Sequence, residues 1–420
     1  MARALTLPQR APASTAMTGR GAMLVFFGFA FAYFFSALLR AITATLAPTF
    51  SSEIGLRSAD LGLLAGAYFF GFAALQLPLG SALDRFGPRR VLLTLLMLAV
   101  LGCAAFAMAT SLAGLIAARV MIGAGVGACL MAPLTCYRLH FSPAAQLRAN
   151  SWMLMTGSLG MVASTLPVQW LLPLTGWRGM FWAAAVMLVV SMGLILRLVP
   201  RDPAAASSQA HVDGGYRLIF RHPLFIRLAP LGFFLYGGLV AVQALWAGPW
   251  LTRVAGWSAG AAATGLFFIN LGMLFTFLAW GSLMPRLMRR GLGAERLMVW
   301  GLPLSLAMLA LIVLTGSGAG AAHWAFWCMA STFVSLSQPA VGQAFPAAQA
   351  GRALSAFNLV IFSGVFCVQW GIGLLVDALM ASGWPEPLAF QAAFGVFWVC
   401  CAGAYLWFLL APRRAADNVN

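Results

Sequence analysis

Two arginines lie inside long apolar stretches of the sequence, where a charged side chain is costly. Arg40 lies between Tyr33 and Pro48, and Arg119 opens a glycine-rich run that reaches Gly127. A guanidinium is planar and can bind a carboxylate through two parallel hydrogen bonds. Arg40 is therefore a candidate anion-binding residue, with extension of its side chain to the outer membrane surface as the alternative. Arg119 could instead hydrogen-bond backbone carbonyls inside a helical bundle.

A third group of charges lies between Gly80 and Arg90 and separates two apolar stretches. Residues 61–83 and 91–109 carry no charge, and each stretch is long enough to cross a hydrocarbon core of about 30 Å. Gly80 would let two helix ends approach closely, and the Gly87-Pro88 pair would end a helix. The pattern predicts a tight turn at the cytoplasmic surface, with Asp84 facing a helix N-terminus or a neighbouring arginine.

The composition is that of a polytopic membrane protein. Of 420 residues, 62% are hydrophobic and 8% are charged, against roughly 25% charged in soluble globular proteins. The net charge of +16 is therefore read as loop charge at a membrane surface, and no nucleic-acid partner is expected. All 25 basic residues are arginine, which excludes Schiff-base chemistry at a lysine. No cysteine or histidine spacing suggests a metal, a disulfide framework or a cofactor, and no nucleophile–base pattern suggests an enzyme.

The elements that must position these arginines are membrane-spanning helices. With the N-terminus in the cytoplasm, twenty arginines fall in cytoplasmic segments, whereas Arg57, Arg178 and Arg253 fall in outside loops. Arginine excess marks the cytoplasmic side, so both termini are expected inside, in a plasma membrane or, in a bacterium, the inner membrane. Twelve charge-poor runs are candidate spans: 22–47, 61–83, 91–109, 112–137, 149–173, 178–199, 223–249, 261–284, 297–315, 321–345, 354–379 and 388–411.

An internal repeat divides the chain into two halves. The Gly-Ser pair at 80–81 recurs at 281–282, and the Val-Gln-Trp string at 168–170 recurs at 368–370. Two unrelated strings at nearly one offset predict two parallel six-helix bundles. The N-terminal segment lacks the apolar core of a signal peptide, so the first helix is expected to be retained. The predicted units are an N-terminal tail (1–21), a first bundle (22–199), a flexible linker (200–222), a second bundle (223–411) and a C-terminal tail (412–420).

The pattern G-x-x-x-D-R-x-G-x-R-R from Gly80 to Arg90 resembles the signature loop of the major facilitator superfamily of transporters. Arg40, eight residues before Pro48, together with Q-x-P-x-G at 76–80, is similar to the organic-anion symporter branch. The resemblance implies twelve helices in two pseudo-symmetric bundles, which rock around a central site in alternating access. It also implies that Arg40 binds the substrate carboxylate. The residues expected to act in gating or conformational change are Gly80, Asp84, Arg85, Gly87, Arg89, Arg90 and Arg119.

Polar and aromatic side chains on several predicted spans could line a central cavity with Arg40. For any single one of them, anchoring at the bilayer interface or a hydrogen bond between helices is the better explanation. As a set they carry more hydrogen-bonding groups than lipid-facing helices need. The candidate substrate-binding residues besides Arg40 are Tyr33, Tyr68, Gln243, Asn270 and Asn358, and the same polar set includes Tyr236, Trp246, Gln338 and Gln369.

The sequence departs from the organic-anion branch at one position. Many members carry a glutamate seven residues after the arginine that corresponds to Arg119, whereas this chain has Val126. Asp377 and His323 are the other candidate proton carriers, so the coupling ion, a proton or sodium, stays open. The function expected is secondary transport of a small organic anion by a monomer. The alternatives are an exporter of amphipathic or cationic compounds and a receptor of the same fold that does not transport.

Overall fold

The computed structural model describes residues 19–141, 143–201, 216–345 and 347–411. Most of the two predicted tails and of the predicted linker lies outside these residues, as does the side chain of Asp84.

Nearly all of the described residues are helical, because a backbone that crosses lipid must satisfy its hydrogen bonds within itself. In this part of the chain, nine helical segments are long and apolar enough to cross a membrane, one of them the interrupted segment Leu112–Arg138, and the bent pair Ser58–Ala74 with Gln76–Leu83 makes a tenth. The helices are α1 (Arg20–Ile54), α2 (Ser58–Ala74), α3 (Gln76–Phe86), α4 (Pro88–Met108), α5 (Leu112–Val126), α6 (Met131–His140), α7 (Pro143–Ala163), α8 (Leu166–Leu198), α9 (Tyr216–Phe220), α10 (Pro223–Val254), α11 (Ala259–Arg289), α12 (Ala294–Thr315), α13 (Ala321–Ser331), α14 (Ser337–Gln343), α15 (Ala347–Ala381) and α16 (Glu386–Leu410).

Each of the twelve predicted spans corresponds to a helix or to a broken helix, so the predicted all-α polytopic fold is confirmed. The two predicted spans that are not among these ten segments are represented by α7 and by the interrupted pair α13 and α14. The helix α10 is continuous but contains π-helical turns between Leu231 and Val254.

The predicted tight turn from Gly80 to Arg90 is wrong in its extent. The helix α3 continues through Gly80 and Arg85 to Phe86, and only Gly87, at φ 81°, leaves the helical conformation. Gly80 has no neighbouring atom within 4 Å of the position its Cβ would take, so no close approach of helices requires a glycine there. The turn is short because Gly87 adopts a positive φ and Pro88 can begin the next helix.

The fifth predicted span, 149–173, is divided between two helices. The break falls at Ser164 and Thr165, whose hydroxyls donate to carbonyl groups of the preceding turn, and α8 begins at Leu166 just before Pro167. The same helix then passes through Gly176, which has φ 62° and separates the fifth and sixth predicted spans. Pro167 therefore lies at a helix start, which suits a residue without an N–H group.

Glycines let the helices around the centre of the molecule pack backbone to backbone. A side chain at Gly123 in α5 would overlap the carbonyl of Tyr68 in α2, and one at Gly125 would overlap the backbone of Ala99 in α4. The glycine-rich run of α5 thus packs backbone to backbone on α2 and α4 at these two positions. This packing fixes the position of Tyr68 beside Arg119, which lies one turn before Gly123 in α5.

The helices α2 and α15 form the most extensive contact between the predicted halves. A Cβ at Gly62 would overlap the Gln369 carbonyl, and one at Gly373 would overlap the Ser58 carbonyl. Further along the same pair, the rings of Phe72 and Phe362 lie 4.5 Å apart. The two helices therefore touch from the end that contains Ser58 to the level of Phe72.

Candidate functional site

Arg40 lies near the middle of α1. At 1.5 Å per residue, it is about 30 Å from the Arg20 end of this helix and about 21 Å from the Ile54 end. Its side chain is mostly buried, and its Nε has no hydrogen-bond partner among the described residues. The guanidinium lies 5.9 Å from the ring centroid of Phe72 in α2, so it is directed between helices.

Three tyrosines surround this guanidinium. The hydroxyls of Tyr33 and Tyr68 interact with the Arg40 guanidinium, and Tyr236 in α10 interacts electrostatically with both Arg40 and Tyr33. The Tyr68 hydroxyl also donates to the Ser36 carbonyl at 3.2 Å. Residues from α1, α2 and α10 therefore meet at one cation, and two of them, Tyr33 and Tyr68, were candidates from the sequence.

A second arginine lies on the other side of Tyr68. The fully buried Arg119 in α5 donates to the Leu39 carbonyl at 2.9 Å and to the Thr43 hydroxyl. Its guanidinium carbon lies 5.3 Å from the centroid of the Tyr68 ring. This is the carbonyl-bonding role considered as an alternative above, and it adds a second positive charge to the field around Arg40. The role of Arg119 in gating stays a prediction.

A chain of hydrogen bonds extends from the tyrosines toward α14 and α15. The Tyr236 hydroxyl donates to Gln338 Oε1 at 3.5 Å, and Gln338 Nε2 donates to Asn358 Oδ1 at 2.6 Å. Asn358 is thus connected to the Arg40 group through two residues. We call Arg40, Tyr33, Tyr68, Tyr236, Gln338 and Asn358 the central polar cluster.

The other two polar candidates form a pair of their own. Gln243 Nε2 donates to Asn270 Oδ1 at 2.9 Å, and Asn270 Nδ2 donates to the Leu266 carbonyl at 2.9 Å. Both side chains are buried, and their hydrogen bonds link α10 to α11. The structure therefore places Gln243 and Asn270 in a contact between helices, and their predicted role in substrate binding stays untested.

Three residues next to Arg40 were not among the candidates. Phe72 of α2 faces the guanidinium, and Ser36 lies one turn before Arg40 in α1. The buried Cys129, between α5 and α6, interacts with Ser36 and electrostatically with Arg40. An apolar Phe or Cys inside an apolar run carries no sequence signal of its own. Only the break in the helix after Val126, which the glycine at 127 could suggest, hints that this segment approaches the site.

A group of hydrogen bonds closes the end of the molecule that contains Ser58. The Asp377 carboxylate accepts from the backbone N–H groups of Ser58 and Ala59 at 3.2 and 2.9 Å. Arg253 donates to Ser58 Oγ at 3.2 Å and to Ser51 Oγ at 2.5 Å. It also pairs with Glu386 at 3.2 Å. We call these residues the Ser58 latch, because they join α1 and α2 to α10, α15 and α16.

The residues predicted to act in gating between Gly80 and Arg90 lie at the opposite end of the pair α2 and α3. Arg89 Nη2 donates to the Leu196 carbonyl at 2.7 Å, and the Arg85 guanidinium lies over the Phe86 ring at 5.1 Å. A groove of about 400 Å³ lies nearby, between α3 and α4, and its lining from Leu75 to Leu95 is apolar apart from Arg90 and Thr94. The central polar cluster is the better candidate site, because it combines a mid-helix cation with several hydroxyl and amide groups.

The comparisons with known proteins agree on a family and a fold. The Major Facilitator Superfamily matches residues 29–369. A bacterial homologue of the human lysosomal transporter Spinster, solved in an inward-facing and unoccupied conformation, superposes with a TM-score of 0.73. The match covers 94% of this chain and 98% of that one at 16% identity, which establishes likeness of fold.

Curated relatives are similar over part of the chain. The niacin transporter NiaP of Acinetobacter baylyi is 26% identical over 44% of this chain and 42% of its own length. The multidrug resistance protein MdtM of Salmonella typhimurium is 28% identical over 48% of this chain and 49% of its own length. The gentisate transporter of Corynebacterium glutamicum is 25% identical over 66% of each chain. The chain thus spans about half the length of the first two relatives and two thirds of the third.

Proposed function

The chain belongs to the Major Facilitator Superfamily, and on that premise we propose that it is a secondary transporter of a small aromatic carboxylate, which Arg40 binds. The observation that carries the proposal is the position of Arg40. A guanidinium stays protonated in proteins, and in the middle of a membrane protein it requires a compensating partner. Among the described residues, its neighbours are hydroxyl groups and rings, which leaves a carboxylate from the substrate as the complementary group.

The surroundings of Arg40 favour an aromatic substrate. Tyr33, Tyr68, Tyr236 and Phe72 bring four rings to one cation. Aromatic pairs prefer stacked or edge-to-face arrangements and gain about 0.5–1.5 kcal/mol each beyond simple burial. The tyrosine hydroxyls can also donate to or accept from ring substituents. Two of the similar proteins are named as transporters of niacin and of gentisate, both of which are aromatic acids.

The mechanism that goes with this site is alternating access. We take residues 22–199 and 223–411 as two bundles that rock about the central polar cluster. The Ser58 latch would close one end, which we assign to the outside, while the segment from Gly80 to Arg90 acts on the opposite, cytoplasmic end. Both termini are then cytoplasmic.

Binding to purified protein in detergent tests the assignment of Arg40. The ligands are benzoate, 4-hydroxybenzoate, niacin and gentisate, with benzamide as the neutral counterpart and benzylamine as the cationic one. A hydrogen bond to a charged group contributes about 1.5–3 kcal/mol, or roughly 10- to 150-fold in affinity. Arg40→Ala is therefore expected to bind the preferred acid at least about tenfold more weakly, with Arg40→Lys in between because it keeps the charge but loses the paired donors.

Arg57→Ala is the matched control, because Arg57 is exposed at the end of the molecule and pairs only with Asp60 among the described acids. If both Arg40 variants fold and bind the acid as tightly as the parent, the carboxylate site is wrong. Preference for benzylamine would then favour an exporter of cationic compounds, the activity class named for the relative MdtM. Binding without uptake into proteoliposomes would favour a receptor.

A further inference from the structure

We propose that this protein is an obligatory anion exchanger, in which the carboxylate-loaded protein changes conformation much faster than the empty protein. The proposal rests on the proposed function, since it takes Arg40 as the residue that binds the carboxylate. It adds how transport is driven, namely by a second anion moving in the opposite direction.

The first observation is a fixed positive charge at the centre of the molecule. Arg119 is bonded to a carbonyl and a hydroxyl, both uncharged, and Arg40 contacts hydroxyl groups and a ring. Among the described residues, the titratable groups that interact with Arg40 include no carboxylate. These groups are Tyr33 of α1, Tyr68 of α2, Cys129 of the turn before α6 and Tyr236 of α10, and the cationic Arg119 of α5 lies against the other side of the Tyr68 ring.

The second observation is where the negative charges are. The sequence contains nine acidic residues, and the five whose side chains the structure describes are each engaged near a helix end. Glu53 accepts from Trp177, Asp60 pairs with Arg57, Glu295 pairs with Arg227, Asp377 accepts from Ser58 and Ala59, and Glu386 pairs with Arg253. The other four, Asp84, Asp202, Asp213 and Asp417, lie outside the apolar spans of the sequence.

The consequence concerns the step in which both ends of the site are closed. While one end is open, water solvates Arg40, but an occluded state removes this water and leaves the charge in a low-dielectric interior. A bound carboxylate cancels one charge through paired hydrogen bonds, so the loaded protein avoids this cost. If this cost equals that of placing an arginine at the centre of a membrane helix, the empty protein changes conformation roughly 100-fold more slowly than the loaded protein.

Protons offer no substitute for the anion at this site. A guanidinium does not release its proton at physiological pH, and a proton added to a tyrosine or cysteine would not lower the positive charge. The empty protein therefore cannot be neutralised by a pH gradient. One anion must leave for each anion that enters, and net uptake into anion-free vesicles must be slow.

The test compares exchange with net uptake in proteoliposomes that contain the full chain. The labelled probe is the member of the four-acid panel whose binding depends on Arg40, and valinomycin with equal potassium on both sides holds the membrane potential at zero. Vesicles loaded with the same unlabelled acid are expected to take up label at least about 50-fold faster than anion-free vesicles, with no acceleration by an inward proton gradient. Net uptake within threefold of exchange, or net uptake driven by the proton gradient, would overturn the proposal.

A carboxylate placed beside Arg40 should relieve the requirement for a counter-anion. Cys129→Asp introduces this charge at a buried position that interacts electrostatically with Arg40, and Cys129→Asn has the same shape without the charge. The ratio of net uptake to exchange should rise at least about tenfold in Cys129→Asp and stay at the parental value in Cys129→Asn. Equal ratios in two folded, exchanging variants would contradict the electrostatic argument, and if Cys129→Asp does not fold, the parental ratio decides alone.

The two proposals fail in different ways. If no acid of the panel binds in an Arg40-dependent manner, the proposed function is wrong and obligatory exchange falls with it. If an acid binds through Arg40 but enters anion-free vesicles as fast as it exchanges, only the exchange mechanism is wrong.

Discussion

The Ser58 latch makes a quantitative prediction about conformational equilibrium. Asp377 in α15 binds the N-terminus of α2 through two backbone N–H groups, at 3.2 and 2.9 Å. A helix N-terminus carries partial positive charge, and its free N–H groups bind anions. Asp377→Asn keeps one acceptor oxygen but removes the charge and one of the two hydrogen bonds.

The size of the effect follows from the energies of these bonds. Hydrogen bonds to a charged group contribute about 1.5–3 kcal/mol and neutral ones about 0.5–1.5 kcal/mol, and partial exposure of Asp377 reduces the difference by screening. A loss of about 1–2 kcal/mol is expected, which moves the equilibrium toward separation of α2 and α15 by roughly 5- to 30-fold. The latch-closed state becomes less populated even without substrate.

Distances between spin labels measure this shift. The labels are placed at the exposed positions Ser52 and Ser382, in a background in which Cys367 and Cys400 are replaced by serine. Asp377→Asn should increase the population of the longer distance by the factor above. Asp60→Asn is the matched control, since Asp60 lies in the same helix start but bonds within its own segment, to Arg57. An unchanged distance distribution in Asp377→Asn, or an equal change in Asp60→Asn, would refute the role of the latch.

Three further predictions concern orientation, gating and packing. A cysteine at the exposed Arg20 should resist a membrane-impermeant thiol reagent added to intact cells, whereas one at Ser382 should react, and the reverse pattern would overturn the orientation. Asp84→Asn should slow transport while leaving affinity for the acid unchanged, because the loop acts on the conformational step rather than on substrate; weaker binding with normal turnover would contradict this. Gly125→Ala should lower the melting temperature, since its Cβ overlaps the Ala99 backbone and overpacking costs about 1–3 kcal/mol, while Gly193→Ala, which has open space, should not.

The sequence alone predicted the class of fold and the residue most in need of an explanation. Apolar runs of span length and the distribution of arginine are local properties that follow from the cost of placing charge or unpaired backbone in lipid. The same cost singles out Arg40 within its run. The resemblance of the segment from Gly80 to Arg90 pointed to the superfamily that the match over residues 29–369 then established.

The sequence could not predict where α3 ends, because two glycines gave the same helix-breaking signal. Gly80 and Gly87 both look like helix breakers, yet only Gly87 adopts a positive φ, and α3 continues through Gly80. A glycine is tolerated inside a helix when the surrounding residues favour it, so spacing could not decide between the two positions.

Only the tertiary structure decided which polar residues meet. Asp377 binds the backbone of Ser58, which is 319 positions away in the chain, and Gln243 was grouped with Arg40 although it pairs with Asn270. Burial energies act on one residue at a time and are therefore visible in a linear pattern, whereas a hydrogen bond depends on the orientation of two side chains brought together by helix packing. The amino-acid sequence thus determined that a charge lies in the membrane, and the packing of α1, α2 and α10 determined that its neighbours are three tyrosines.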